Sequence, residues 1–425
     1  MEYQHHDVKA YNLHLFKTDK FKTITIMINF RRKIVKDEIT LRSFIRPLLL
    51  LSSKNFPSGR LLTKEMERLY GPYISAEENR IGNYALTFFN MTMINEKYTE
   101  SGMNNKCMDF FKEILFNPDI INDAFNKASF NIVKNEIRAK LKSIKDNPKY
   151  YSMMRMLEFL DPKSPISYRS GYLEDFDRID EKMVYDYYKS MLHSDQVDIY
   201  VLGDIDFIDM KNLVVDMVPI NTIKKAKDSI YINHETFAKR LKNVEDEENL
   251  SQAKLVIGCK ISKLTDFENK YVLPIYNNIL GGPSYSKLFQ SVREKNSLAY
   301  YIYSNYRRAD NILTISSGIN KESFNKTVKL IKEEFANMSK GNISEEELKR
   351  AQEEMLNIIQ NIEDKPTFLI NNFMWQNLCG LDDIETRKKV IFNVTIDNIK
   401  EISKKIKLDT IYLLHGGDHN EADGD

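Results

Sequence analysis

Cysteine is scarce in this 425-residue chain: Cys107, Cys259 and Cys379 are the only three, far apart and odd in number. No C-x-x-C pair occurs, so neither a disulfide framework nor a cysteine-rich zinc site is expected, and the cytoplasm is the natural compartment. Glycine (15) and proline (11) are also few, which excludes low-complexity tails and long flexible tracts. Neither sign of charge dominates. Lysine plus arginine total 62 against 61 acidic residues, so global charge points to neither a nucleic acid nor a membrane surface. The most apolar short run, Pro47 to Leu51, falls far below the roughly 18 residues that a membrane span needs. The opening Met1 to Leu13 is polar, with His5, His6, Asp7 and Lys9 and no apolar stretch, so a secretory signal is not expected. Histidine numbers seven (His5, His6, His14, His193, His234, His415 and His419), and no two stand one turn apart on an expected helix. His415 and His419 flank Gly416-Gly417-Asp418 near an acidic end and are read as an ordinary polar terminus rather than a metal grip.

What the chain does have is 42% hydrophobic and 29% charged residues, enough for substantial cores in two or three domains. Its most informative feature is internal. A helical run containing Phe130 to Glu136 leads to Asp146-Asn147-Pro148, and one containing Leu348 to Glu354 leads to Asp364-Lys365-Pro366. The offset, 364 less 146, is 218 residues, and it also aligns Glu136 with Glu354. Ile24 to Phe30 alternates as a half-buried strand should, and Ala253 to Gly258 is its later counterpart. Tyr84 to Phe89 corresponds to Asn311 to Ser316, and each half closes with a strand running into Gly-Asp, at Gly203-Asp204 and Gly417-Asp418. Ser344 and Glu347 form a capping box behind Ile343, and Phe110, Ile114 and Leu115 recur at helical spacing before Pro118. A repeat this long is a duplicated domain rather than a solenoid unit. The expected fold class is α+β: two tandem homologous domains, 1–220 and 249–425, each a mostly antiparallel sheet with helices on one face. The polar stretch 221–248 is the expected linker.

In the second half Leu280-Gly281-Gly282 is followed by Ser286-Lys287-Leu288-Phe289, then Arg293-Glu294-Lys295 and Leu298-Ala299-Tyr300. This segment resembles the Gly-Gly-x-x-x-Ser-x-Leu-Phe-x-x-x-Arg-Glu-Lys-x-x-Leu-Ala-Tyr signature of the insulinase-like (M16) metallopeptidase superfamily. Resemblance extends over nearly the whole chain, and duplicated α+β domains (the LuxS/MPP-like fold) are what it implies. The stretch Leu13-His14-Leu15 through Lys20-Phe21-Lys22-Thr23 is similar to a narrower group, the YfmF-type proteins, encoded beside a second M16 protein in Gram-positive bacteria. That likeness implies an association with elongation factor P modification or with bacteriocin-type peptide maturation.

Active members of that superfamily carry His-x-x-Glu-His on the first long helix, where two histidines one turn apart share zinc and the glutamate activates water. The equivalent stretch here, Leu41 to Leu49, has neither His nor Glu, and Pro47 cannot bind metal. Glu136 matches the family's later zinc-binding glutamate, but Ser129 stands where a second glutamate is usual. Glu136 is therefore read as a relic on a helix surface. No metal site is expected in this chain, and alone it is expected to be inactive.

The Arg and Tyr of the family motif, here Arg293 and Tyr300, reach across a chamber to the zinc site of the other half or of a partner. The residue types suit that chemistry. Peptide hydrolysis places negative charge on a carbonyl oxygen, which a phenol and a guanidinium can meet with fixed donors. Arg293 near a helix end and Tyr300 in the following strand can converge on one surface. Gly281, Gly282 and Ser286 are secondary substrate-binding candidates; the glycines are read mainly as a sharp turn into the helix, since no phosphate-loop Lys-Ser or Lys-Thr follows. The expected role is a non-catalytic subunit of a heterodimer, completing the site of a zinc-bearing M16 paralogue that processes a peptide or unfolded polypeptide. The alternative is a purely structural or interaction module, a homodimer or scaffold with no part in proteolysis.

Overall fold

Runs rich in β-branched and aromatic residues form most of the eleven strands that pair into the two main sheets, beside a short two-strand ladder of Ile120–Ile121 and Ala124–Phe125. The computed structural model describes residues 1–168, 171–220, 229–234, 237 and 240–417. The first sheet holds β1 (Glu2–Asp7), β2 (Asn12–Lys17), β3 (Thr23–Lys33), β4 (Tyr73–Ile81), β5 (Tyr84–Ile94) and β6 (Gln196–Gly203), in the order β1-β2-β6-β3-β5-β4. The second holds β7 (Lys242–Glu247), β8 (Ala253–Ile261), β9 (Ala299–Arg307), β10 (Ile312–Ile319) and β11 (Ile406–His415), in the order β9-β10-β8-β11-β7. Read inward from the edges β4 and β9, the two orders coincide strand for strand. Each sheet is antiparallel except at one place, β2 beside β6 and β11 beside β7. The first adds only β1, on its far edge.

The helices repeat in part. The first half carries α1 (Ile39–Leu51), α2 (Gly59–Arg68), α3 (Met103–Phe116), α4 (Lys127–Lys142), α5 (Pro148–Leu160), α6 (Glu181–Ser194) and α7 (Phe207–Met217). The second carries α8 (Leu273–Gly281), α9 (Phe324–Lys340), α10 (Glu345–Gln360), α11 (Pro366–Cys379), α12 (Ile384–Val390) and α13 (Ile396–Lys405). The 218-residue offset maps α4 onto α10 at both ends, and the 3-10 turn Ser143–Asp146 onto Asn361–Asp364. It also maps Pro148 onto Pro366, each the first residue of its helix, where a missing N–H costs nothing. The capping box at Ser344 and Glu347 forms, with Ile343 buried before it.

The halves are not contiguous in space. One compact unit comprises Met1–Ser143, Arg169–Ile230 and Glu363–Met374; the other comprises Ile144–Tyr168, Tyr231–Ile362 and Trp375–Asp425. Within the second unit α5 lays Met156, Leu157 and Leu160 against Val256, Ile312, Tyr412 and Leu414. Gly258 makes that approach possible, because a Cβ there would run into Met156 Sδ. Within the first unit Phe373 stacks on Phe16 at 3.8 Å and Lys20 donates to the Glu363 carbonyl at 2.6 Å. Helices on one sheet face were expected, and the second sheet is covered on both. Ser304 of β9 reaches Asn277 of α8 on one side, and α5 occupies the side of Val256 and Tyr412.

Two further differences follow from position. Ile24 through Phe30 are all buried rather than alternately exposed, because β3 is an inner strand. The expected linker 221–248 contains β7 at Lys242–Glu247, so the second sheet begins before residue 249. Residues 221–228, 235, 236, 238 and 239 of that stretch lie outside the described residues.

Candidate functional site around Arg293 and Tyr300

The helix aligned with the zinc motif is α1. Its sequence from Ile39 to Leu51 offers no His, Cys, Asp or Glu, and its buried polar groups Thr40, Arg42 and Ser43 are committed to the fold. Arg42 is buried and spends its guanidinium on the Thr87 hydroxyl (2.9 Å), the Tyr187 hydroxyl (3.1 Å), Asp195 (2.9 Å) and the Phe30 carbonyl (2.9 Å). The Ser43 hydroxyl donates to the Thr40 carbonyl at 2.7 Å, and Pro47 lies inside the helix. Glu136 projects from the exposed side of α4, and Ser129 meets Ser52 hydroxyl to hydroxyl at 3.2 Å. Glu78 on β4 senses Arg46 and Arg42 of α1 and Lys140 of α4. Burial outweighs those three cations and pushes it up to about 7. Among the described residues no group of three or more His, Cys, Asp or Glu side chains is arranged to hold a metal. Arginine and proline in place of imidazole and carboxylate do not fit zinc. His415 is buried with Nε2 3.8 Å from Glu245, while Asp418 and His419 lie outside the described residues.

The motif of the second half folds as a helix, a short connection and an edge strand. From Phe289 to Glu294 the helix is wound wide, in π geometry. Asn296 ends it as expected, its amide donating to the Ser291 carbonyl at 2.8 Å. The Arg293 guanidinium lies over the Phe289 ring, 4.7 Å from its centre, and Nε is 4.0 Å from Glu294. Its side chain is 44% exposed, so most of its donors are open to a ligand. Tyr300 follows on β9 at an irregularity in the ladder: Ala299 pairs with Ile319 and Tyr301 with Gly318, leaving Tyr300 as the extra residue. A bulge of this kind re-aims a side chain. Tyr300 is 61% exposed, and its hydroxyl makes one long hydrogen bond, to Asn320 Oδ1 at 3.4 Å.

The secondary candidates separate from this pair. Gly281 is buried at the end of α8, where a Cβ would lie 2.6 Å from Ser304 Oγ and 2.7 Å from its backbone nitrogen. It lets α8 pack on β9. Ser286 is buried too, with its N–H on the Pro283 carbonyl (3.1 Å) and its hydroxyl without a partner. Gly282 is exposed at the helix end with ordinary negative φ. Arg293 and Tyr300 are thus presented to solvent by successive elements, while Gly281 and Ser286 pack inside. Lys287 anchors the motif helix to α10 through Glu347 at 2.8 Å, a pairing that no motif signalled.

A family model described as the peptidase M16 inactive domain matches residues 178–355. A Bacillus subtilis protein described as a "probable inactive metalloprotease YmfF" is 29% identical over 408 residues, 95% of each chain. The crystal structure of a conserved protein from Enterococcus faecalis aligns with a TM-score of 0.92 and 27% identity, over 99% of this chain and 100% of that one. The peptidase M16 inactive domain of Pseudomonas fluorescens shares the fold at a TM-score of 0.81 and 16% identity, over 98% and 99% of the two chains. Among the described residues no helix is long and apolar enough to cross a membrane. The duplicated sheet order and the retained Arg-Glu-Lys and Leu-Ala-Tyr segments agree with these likenesses: residues 178–355 match the peptidase M16 inactive domain, and 95% of the chain is similar to the YmfF protein.

Proposed function

We propose that this chain is the non-catalytic subunit of a heterodimeric M16 zinc peptidase acting in the cytoplasm on a peptide or unfolded polypeptide. A paralogue holds zinc through His-x-x-Glu-His, and this chain supplies Arg293 and Tyr300 in trans and part of the substrate chamber. The contrast between two arginines carries the reading. Arg42, on the helix aligned with the zinc motif, is buried and makes four hydrogen bonds, whereas among the described residues Arg293 meets a ring face and a carboxylate at 4.0 Å. A guanidinium and a phenol kept exposed and nearly unpartnered on one helix-strand unit are suited to receive charge from outside. A scissile carbonyl developing negative charge is such a recipient. Strands β4 and β9 are also sheet edges, the position at which an extended polypeptide adds to a sheet. The three buried free thiols suit a reducing compartment.

The test is turnover by the purified complex of this chain with its zinc-bearing paralogue. Arg293→Ala or Tyr300→Phe should each lower peptide cleavage by about 10²–10³, the scale of one oxyanion donor. Because both side chains are exposed, each variant should keep its melting temperature within the roughly 0.5 kcal/mol of ordinary surface changes. Unchanged cleavage by both mutant complexes, or a stable homodimer that never binds the paralogue, would remove the trans-acting role.

A further inference from the structure

One cluster in the second unit is left unused by that function. Lys149, in the first turn of α5, places Nζ 5.0 Å from the centre of the Tyr301 ring and 4.7 Å from that of Tyr303. Lys254 of β8 places its own Nζ 5.8 Å from the Tyr301 ring. The two rings lie 6.0 Å apart at 29°. They sit on the sheet face opposite Ser304 and Ile302, the same face as α5. Two ammonium groups therefore share one aromatic ring.

Among the described residues neither ammonium has a carboxylate within 4.0 Å, and Lys254 is bonded to the neutral amide of Gln252. The acids nearby are taken: Glu248 by Lys145, Asp246 by Arg155 (2.9 Å) and Tyr412 (2.8 Å), and Glu158 by Arg155 (2.6 Å). A ring face attracts a cation by about 0.5–1 kcal/mol at an exposed site but does not neutralise it. Burial and Lys149 together lower the Lys254 ammonium, as expected where two like charges lack a counterion. Burial, with Tyr303 beside it, pushes the Tyr301 phenol up to about 12, so it stays neutral and can donate. The backbone fits the ring closely. A Cβ on Gly318 would lie 2.6 Å from Tyr301 Cε1 and 2.7 Å from Gln252 Oε1.

We propose that this face is a docking site for an acidic peptide segment, with Lys149 and Lys254 receiving a glutamate or aspartate carboxylate over Tyr301 and Tyr303. The proposal rests on the reading of the chain as a peptide-handling subunit and narrows its substrates to acidic ones. Charge complementarity selects the occupant, since one carboxylate offsets two uncompensated ammonium groups and accepts from the phenols.

The experiment is fluorescence anisotropy on the full chain at constant ionic strength. The probes are a labelled Gly-Ser peptide with two adjacent glutamates, and the same peptide with glutamines. The acidic peptide should bind about tenfold more tightly, the scale of one charged hydrogen bond. The preference should vanish in the Lys149→Gln/Lys254→Gln double variant and persist with arginine at both positions, which controls for folding. Equal binding of the two peptides, no binding of either, or a preference that survives the double glutamine variant would overturn the site. So would displacement of the peptide by inorganic phosphate at matched ionic strength, which would mark a free-anion site instead. The two readings fail separately: a chain that discriminates the peptides while Arg293→Ala and Tyr300→Phe leave turnover intact keeps this site and loses the trans-acting pair.

Discussion

Arg42 Nη1 lies 2.9 Å from Asp195 Oδ2 in the interior of the first unit, with the two side chains 6% and 0% exposed. The same carboxylate takes Arg32 Nε through Oδ1 at 2.5 Å, so one acid ties together α1, β3 and the end of α6. On the helix aligned with the zinc motif, Arg42 is a structural anchor. Removing Arg42 leaves Asp195 to Arg32 alone and strips hydrogen bonds from the Thr87 and Tyr187 hydroxyls and the Phe30 carbonyl in a dry interior, which together cost about 3–5 kcal/mol. Arg42→Met should accordingly lower the melting temperature of the first unit by on the order of 10 °C in calorimetry. Arg42→Lys should recover only part of that, since one ammonium cannot reach Thr87, Tyr187, Asp195 and the Phe30 carbonyl together. A Met variant that melts with the wild type would show the pair to be dispensable.

How far the fold could be read in advance depended on whether the signal was local. The 218-residue repeat, the Ser344 capping box and the strands at Ile24 and Ala253 were legible because period and capping chemistry lie within a few residues. The destination of α5 was not. Met156, Leu157 and Leu160 mark an apolar helix face, but nothing nearby says that it covers the sheet of the other half. Strand β7, Lys-Asn-Val-Glu-Asp-Glu, reads as linker in the sequence because an exposed edge strand buries almost nothing and so has no apolar alternation. The site followed the same rule. Arg293 and Tyr300 were found through their motif, but the bulge at Tyr300 carries no Gly or Pro to announce it. The Lys149–Tyr301–Lys254 cluster joins three elements distant in sequence and left no linear trace.

Two groups of the first unit, buried His14 and half-buried Glu78, should tilt stability with pH in opposite directions. His14 stacks on Tyr200 with ring centres 4.7 Å apart and shares a 2.9 Å hydrogen bond with the Tyr3 hydroxyl. Burial lowers it from 6.5 to about 4, Asp198 opposing and His5 assisting. The unfolded chain therefore binds the extra proton, and this contribution is complete above about pH 6.5 and lost as pH falls toward about 4. Glu78 is the reverse case. Its carboxyl is raised from 4.5 to about 7, and its Oε1 is sealed from solvent without a partner. Its contribution is complete below about pH 4.5 and lost as pH rises through about 7.

Each shift corresponds to about 3 kcal/mol at most, so the wild type should show a shallow profile between about pH 5 and 7. Glu78→Gln should leave the His14 slope, with stability rising toward neutral pH. His14→Phe should leave the Glu78 slope, with stability falling toward neutral pH. Urea midpoints measured across this range decide the matter, and parallel profiles for the two variants would refute the assignment.

Gly281 tests whether the packing beneath the motif positions it. A methyl group there would meet Ser304 Oγ, N and Cβ at 2.6, 2.7 and 2.9 Å. Two of those atoms cannot turn away, so α8 or β9 must shift, at the roughly 1–3 kcal/mol typical of overpacking. Tyr300 is four residues upstream on the same strand, and Arg293 is joined to it through residues 294–299. Displacing β9 should therefore move both. Gly281→Ala is expected to lower the melting temperature of the chain and also the turnover of the assembled pair. Tyr300→Phe should lower turnover alone. Gly282→Ala is the control: the residue is exposed with ordinary φ, and its nearest neighbour on adding Cβ, Asn278 Cα, lies at 3.1 Å. Its effect on both measurements should be the smaller. If Gly281→Ala melts and turns over as wild type does, the strand yields without disturbing Tyr300, and the packing of α8 on β9 does not set the geometry of the pair.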